Sequence, residues 1–121
     1  MLTRDSTLQY KGTMRSDSTA QQIKKGLLVV AVLQVVYAKK SYSSEILARL
    51  ATTSFATQEG TLYPLLSKLK REGLLDYEWA ESASGPPRKY YALSPTGVTH
   101  KDELLAHYKD LGVTLQKLGE K

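Results

Sequence analysis

Side chains able to do covalent or metal chemistry are scarce in this chain. It has no cysteine, and its two histidines are His100 and His107. That composition removes disulfide scaffolds, cysteine-ligated zinc, iron–sulfur clusters and thiol catalysis, and it fits a reducing, cytoplasmic setting. Glu103 precedes His107 by one helical turn, but no glycine-rich phosphate loop, metal-binding histidine pair or nucleophile motif accompanies them. A solvated helix face with one acid–imidazole pair is the expectation. The chain is therefore not read as an enzyme, and no cofactor or metal is expected.

Charge offers a different chemistry. The 121 residues carry 17 Lys and Arg against 12 Asp and Glu, a net charge of +5, which favours a polyanionic partner without demanding one. The excess is local: residues 1–56 hold eight basic and three acidic side chains, residues 57–121 nine of each. Two later stretches nevertheless have the residue types a nucleic acid would need. In one, Leu62, Leu65, Leu66 and Leu69 mark the inner face of a helix, so Thr57, Gly60, Thr61, Pro64, Ser67, Lys68 and Arg71 turn outward. Gln58 and Thr61 can then bond base edges, Tyr63 can flank them, and Lys68, Lys70 and Arg71 can meet phosphates. The other is Gly85-Pro86-Pro87-Arg88-Lys89, two adjacent cations on a stiff loop, suited to phosphate or a narrow minor groove. A solvated basic helix and a solubilising turn are the bland alternatives for the two stretches.

These residues must be positioned by the elements around them. Residues 1–21 are polar and lack an apolar stretch, so they read as a flexible arm or short surface helix. From Gln22 to Ala38 the valines favour a strand by intrinsic preference, but the length of the run argues for a buried helix. Its apolar part, Gly26 to Ala38, is bracketed by Lys24-Lys25 and Lys39-Lys40 and falls far short of the ~20 residues of a bilayer span, so no membrane partner is expected. Ser43 or Ser44 can cap a second helix from Glu45 to about Thr52, and Thr52–Ala56 reads as a turn. The third helix would take Thr57 as N-cap, bend near Pro64 and stop at Gly73.

Beyond Gly73 the period becomes two, with Leu75, Tyr77 and Trp79 alternating against Asp76 and Glu78. A strand, a loop over residues 81–87 that contains both prolines, and a returning strand over residues 88–93 make a hairpin. Trp79 is expected to pack on it. Ser94-Pro95 opens a last helix on which Leu104, Tyr108, Leu111, Leu115 and Leu118 form one apolar seam, weakened at Gly112.

Three helices, a hairpin and a helix, in that order, describe an α+β, mainly α fold: a winged helix-turn-helix with a C-terminal dimerisation helix. The segments Glu59-Gly60-Thr61-Leu62-Tyr63-Pro64-Leu65-Leu66, Leu69-Lys70-Arg71-Glu72-Gly73-Leu74 and Gly85-Pro86-Pro87-Arg88-Lys89-Tyr90-Tyr91, with Leu93 and Gly97, closely resemble the PadR family of bacterial transcriptional regulators. The resemblance covers about residues 22–118. It implies a winged-helix homodimer that represses promoters and releases them on binding a small molecule, and it places the valine-rich run in a helix. With 24 residues after Gly97, the chain looks like the short, single C-terminal helix branch. The arm is not covered by the family pattern; Met14 is an alternative start, or the arm touches DNA.

The expected organisation is an arm (1–21), a winged-helix domain (22–97) and a dimerisation helix (98–121). The expected partners are a pseudo-palindromic double-stranded operator and a second copy of the chain. Relatives that sense drugs stack flat ligands on an aromatic of the last helix. Tyr108 matches that position, although simple dimer core is the favoured reading for a ring on the seam. A planar aromatic effector is thus an additional expectation. A winged helix used for protein or RNA contact is the rival one.

Overall fold

The computed structural model describes residues 14–121. Its elements are α1 (Met14–Ala38), β1 (Ser41–Tyr42), α2 (Ser43–Ala51), α3 (Glu59–Arg71), β2 (Leu75–Ser82), β3 (Gly85–Leu93) and α4 (Pro95–Leu118). The strands form one antiparallel sheet in the order β1-β3-β2. Four helices and this small sheet, among the described residues, make the mainly α winged helix expected from the sequence.

Helix α1 starts at Met14, so part of the expected arm is helical; the rest, residues 1–13, lies outside the described residues. Burial explains why the valines are helical. Leu28, Val32, Leu33, Val35 and Val36 all enter one core cluster, with Val32 and Leu33 fully buried. Tertiary packing of this kind outweighs the few tenths of a kcal/mol by which β-branched residues disfavour a helix.

Helix α2 begins earlier than expected and is capped by Tyr42, not by Ser43 or Ser44. The reason is a two-residue strand that the sequence did not announce: Ser41 pairs with Tyr91 and Tyr42 with Tyr90. The Tyr42 N–H, at the strand's end, donates to Glu45 Oε1 at 2.9 Å, satisfying a donor at the helix entrance. Ile46 and Leu50 face the core.

Between α2 and α3 the turn is tied by Thr53, whose Oγ1 donates to the Leu50 carbonyl at 2.8 Å and accepts from the Phe55 N–H at 3.0 Å. The N-cap of α3 is Gln58 in place of the expected Thr57. Its carbonyl accepts from the N–H groups of both Thr61 and Leu62. Helix α3 runs unbroken through Pro64. Leu62, Leu66 and Leu69 are buried to within 1% of their surface. Gly73 stops the helix at φ 79°. There its N–H donates to Lys70 and that of Leu74 to Leu69, the paired bonds of a Schellman ending, which a glycine adopts without the steric cost a Cβ brings.

The hairpin is longer than expected. Strand β2 continues to Ser82 and β3 starts at Gly85, so the loop is only Ala83-Ser84. Pro86 and Pro87 therefore lie in β3, not in a loop. Ala80 pairs with Arg88 and Ser82 with Gly85, which leaves Glu81 opposite two prolines in a bulge, a place where strand prolines forfeit no ladder bond.

Helix α4 is anchored to the exit of α3. Ser94 Oγ accepts from the Gly97 N–H at 2.9 Å and donates to the Gly73 carbonyl at 2.6 Å, while the Ser94 N–H donates to Leu74 at 3.1 Å. Gly97 lies so close that a Cβ there would collide with the Leu74 carbonyl. One turn on, Lys101 is buried, pairs with Asp102 at 2.6 Å and sits 4.1 Å from the Tyr37 ring, joining α4 to the end of α1.

Candidate nucleic-acid interface

With its leucines in the core, α3 presents Gln58, Gly60, Thr61, Tyr63, Pro64, Ser67, Lys68, Lys70 and Arg71 to solvent. No heavy atom lies within 4 Å of a Cβ built on Gly60, so that turn can approach another surface closely. The acidic residue of the helix, Glu59, is in the first turn and its cations, Lys68, Lys70 and Arg71, are in the last, an order the helix dipole favours.

The two flanks differ. Thr61 borders a groove shared with Lys24 and Lys25 of α1. Lys68 borders the next groove along, between α1 and α4, beside Glu72, His100 and His107. On the other flank Tyr63, 44% exposed, makes a long 3.4 Å contact to Glu59, and Lys70 lies 5.7 Å from the Tyr77 ring of the wing. Arg71 belongs to the exposed ridge between the flanks.

The wing corrects the expectation of two adjacent cations on one projecting loop. Both are in β3, where neighbouring side chains point to opposite faces. Arg88 stacks 4.2 Å from the ring of Tyr42, which in turn lies 4.9 Å from Tyr90. Lys89 takes the face of Tyr91 and Leu75, both core residues, and reaches over Tyr77 at 4.6 Å and Trp79 at 5.6 Å. Burial holds the Tyr91 hydroxyl above its ordinary pKa, with smaller contributions from Tyr77 and Tyr63. Trp79 does not pack as expected. It is 63% exposed, because β2 has there run past the helices that cover Leu75. The bulge opposite Glu81 shifts the register by one residue, so that Trp79 pairs with Lys89 on one face.

The seam residues of α4 part company within the protomer. Leu104 is half-buried against the core, whereas Tyr108, Leu111, Leu115 and Leu118 are 56, 49, 69 and 76% exposed. Tyr108 also closes a cleft of about 520 Å³ lined by Leu27, Val30, Ala31, Val35 and Leu105. Among the described residues no three His, Cys, Asp or Glu side chains gather to hold a metal, and no helix is long and apolar enough to cross a membrane.

A helix-turn-helix whose second helix is bare on its outer side, beside a hairpin whose returning strand carries Arg88 and Lys89, defines a winged-helix DNA-binding protein. The transcriptional regulator PadR-like family matches residues 32–103, and the chain belongs to that family of DNA-binding regulators. It is similar to a PadR-like transcription factor of Bacteroides fragilis, at 39% identity and a TM-score of 0.73 over 84% of this chain and 99% of that one. A PadR family regulator of Eggerthella lenta is 31% identical with a TM-score of 0.80, covering 87% and 92% of the two chains. An uncharacterised protein of Lysinibacillus sphaericus is 25% identical over 90 residues, 72% of this chain and 83% of that protein.

Proposed function

We propose that the protein is a homodimeric repressor that reads a pseudo-palindromic operator and leaves it when a small molecule binds. The observation that carries the reading is the pair of uncovered surfaces on one protomer: the polar, cationic outer side of α3 and the apolar far half of α4. A second copy covers the latter. Pairing through Leu104, Tyr108, Leu111, Leu115 and Leu118 by a twofold axis would present two α3 helices about one turn of duplex apart, ~34 Å. Each half then uses Gln58, Thr61 and Tyr63 for base reading or positioning, and Lys68, Arg71, Arg88 and Lys89 for phosphate contact.

The cleft beside Tyr108, about 520 Å³ and largely apolar, falls within the range that small-molecule sites occupy. It supports an effector with a flat aromatic body, which the Tyr108 ring can stack.

Footprinting of the purified protein on the DNA upstream of its own gene tests the reading. The expected result is two protected half-sites centred about ten base pairs apart, lost on adding one member of a panel of planar aromatic compounds. Protection no stronger than that on random duplex at ~150 mM salt would overturn specific operator recognition. Release by none of the panel would remove the effector.

A further inference from the structure

We propose that Trp79 is a duplex-contacting residue, the apolar centre of a wing patch that seats on the sugar–phosphate edge of DNA beside the groove entered by α3. The proposal rests on the duplex-binding reading and adds to it a residue that carries no charge.

Three observations converge on it. First, the indole is 63% exposed yet held in place. It meets Tyr77 edge-on at 5.9 Å and 85°, and Tyr77 lies 5.7 Å from Tyr91, whose ring is in the core. A chain of three aromatic rings thus runs from the core to the wing surface and aims the last of them outward. A large ring with few rotatable bonds, oriented by its neighbours, loses little entropy when a partner covers it.

Second, two ammonium groups from different elements attend the aromatic cluster that ends in Trp79. Lys70 of α3 and Lys89 of β3 lie 5.7 and 4.6 Å from the Tyr77 ring, and Lys89 lies 5.6 Å from Trp79 itself. Neither has a carboxylate partner: the ion pair found among the described residues is Lys101 with Asp102. Third, Trp79 pairs directly with Lys89 across the ladder, on the sheet face that also bears core residues and so looks toward α3. An exposed apolar ring beside Lys89, with Lys70 over the neighbouring Tyr77, matches a surface that alternates charge with apolar faces at short range. Duplex DNA presents that alternation as phosphate and deoxyribose.

Because Trp79 is the one tryptophan in the chain, its emission reports on this patch alone. The experiment uses the full chain and a fluorescein-labelled mixed-sequence duplex of about 25 base pairs, long enough for two half-sites. Anisotropy of the duplex and emission of the protein are followed in parallel, with acrylamide as a neutral quencher. The expected result is that Trp79 emission changes, and its quenching by acrylamide falls, at the midpoint given by anisotropy. Trp79→Ala should weaken binding about five- to tenfold with no change in salt dependence. Trp79→Phe should recover part of the loss. Lys89→Gln, in contrast, should lower the salt slope by about one per half-site.

Tight binding by anisotropy with unaltered emission and quenching would overturn the proposal while leaving the duplex reading intact. So would a Trp79→Ala protein that binds as wild type. No anisotropy change on any duplex would overturn both together.

Discussion

Leu62, Leu65, Leu66 and Leu69 on α3 repeat at the same spacings of three and four as Leu104, Tyr108, Leu111, Leu115 and Leu118 on α4. The first set is sunk into the core, with Leu62, Leu66 and Leu69 at most 1% exposed, while Leu111, Leu115 and Leu118 stand 49 to 76% exposed. The difference lies in what each helix is surrounded by. Helix α3 is wrapped by α1, α2 and the sheet of its own chain. Helix α4 is held at its first turns by Gly97, Ser94 and Lys101, then runs past the end of the domain. An amphipathic pattern states that a face will be covered, and it is silent on whether the cover belongs to the same molecule.

The sharpest way to separate the two faces is a pair of substitutions. Leu66→Ala should cost roughly 3–5 kcal/mol of unfolding free energy, as buried leucine truncations do, in a urea titration whose loss is the same at every protein concentration. Leu111→Asp should instead yield monomers by light scattering, with loss of operator binding and a stability that depends on concentration in the wild type alone. A Leu111→Asp protein that remained dimeric and bound DNA as before would break the comparison, because α4 would then be bare for another reason.

Next in size is the anchor that joins the two helices. Gly97→Ala places a Cβ against the Leu74 carbonyl, and backbone cannot yield as a flexible side chain would. A loss of about 1–3 kcal/mol is expected, measured as a lowered thermal midpoint. An unchanged midpoint would mean that the first turn of α4 is not fixed to the exit of α3.

The smallest effect sharpens the description of the bare half. A Cβ at Gly112 meets nothing within 4 Å, so Gly112→Ala should raise helix stability by up to about 1 kcal/mol, read from the thermal midpoint. A lowered midpoint would reveal a partner surface pressed against that turn.

Much of this was legible in one dimension. The α3 leucines, the Gly73 stop, the Ser94-Pro95 start and the period-two hairpin each depend on local geometry, and each took the expected element type. Boundaries moved where distant pairing intervened. Tyr42 displaced Ser43 and Ser44 as the cap because β1 pairs with β3, more than forty residues later. Similarly, the prolines entered β3 because the ladder tolerates a bulge opposite Glu81. The candidate interface was legible as a set of exposed residues on α3. Its division into flanks was not, since whether Lys68 borders α4 and Lys70 borders the wing depends on what packs to either side.

What the sequence by itself determined was therefore the menu of elements and their buried and exposed faces, because periodicity, caps and glycine conformations act within a few residues. Only the tertiary structure decided that Arg88 and Lys89 part to opposite faces, that Trp79 stands uncovered beside Lys89, and that Lys101 is buried under Tyr37. Those outcomes follow from contacts between segments remote in the chain, whose register and distance no local preference encodes.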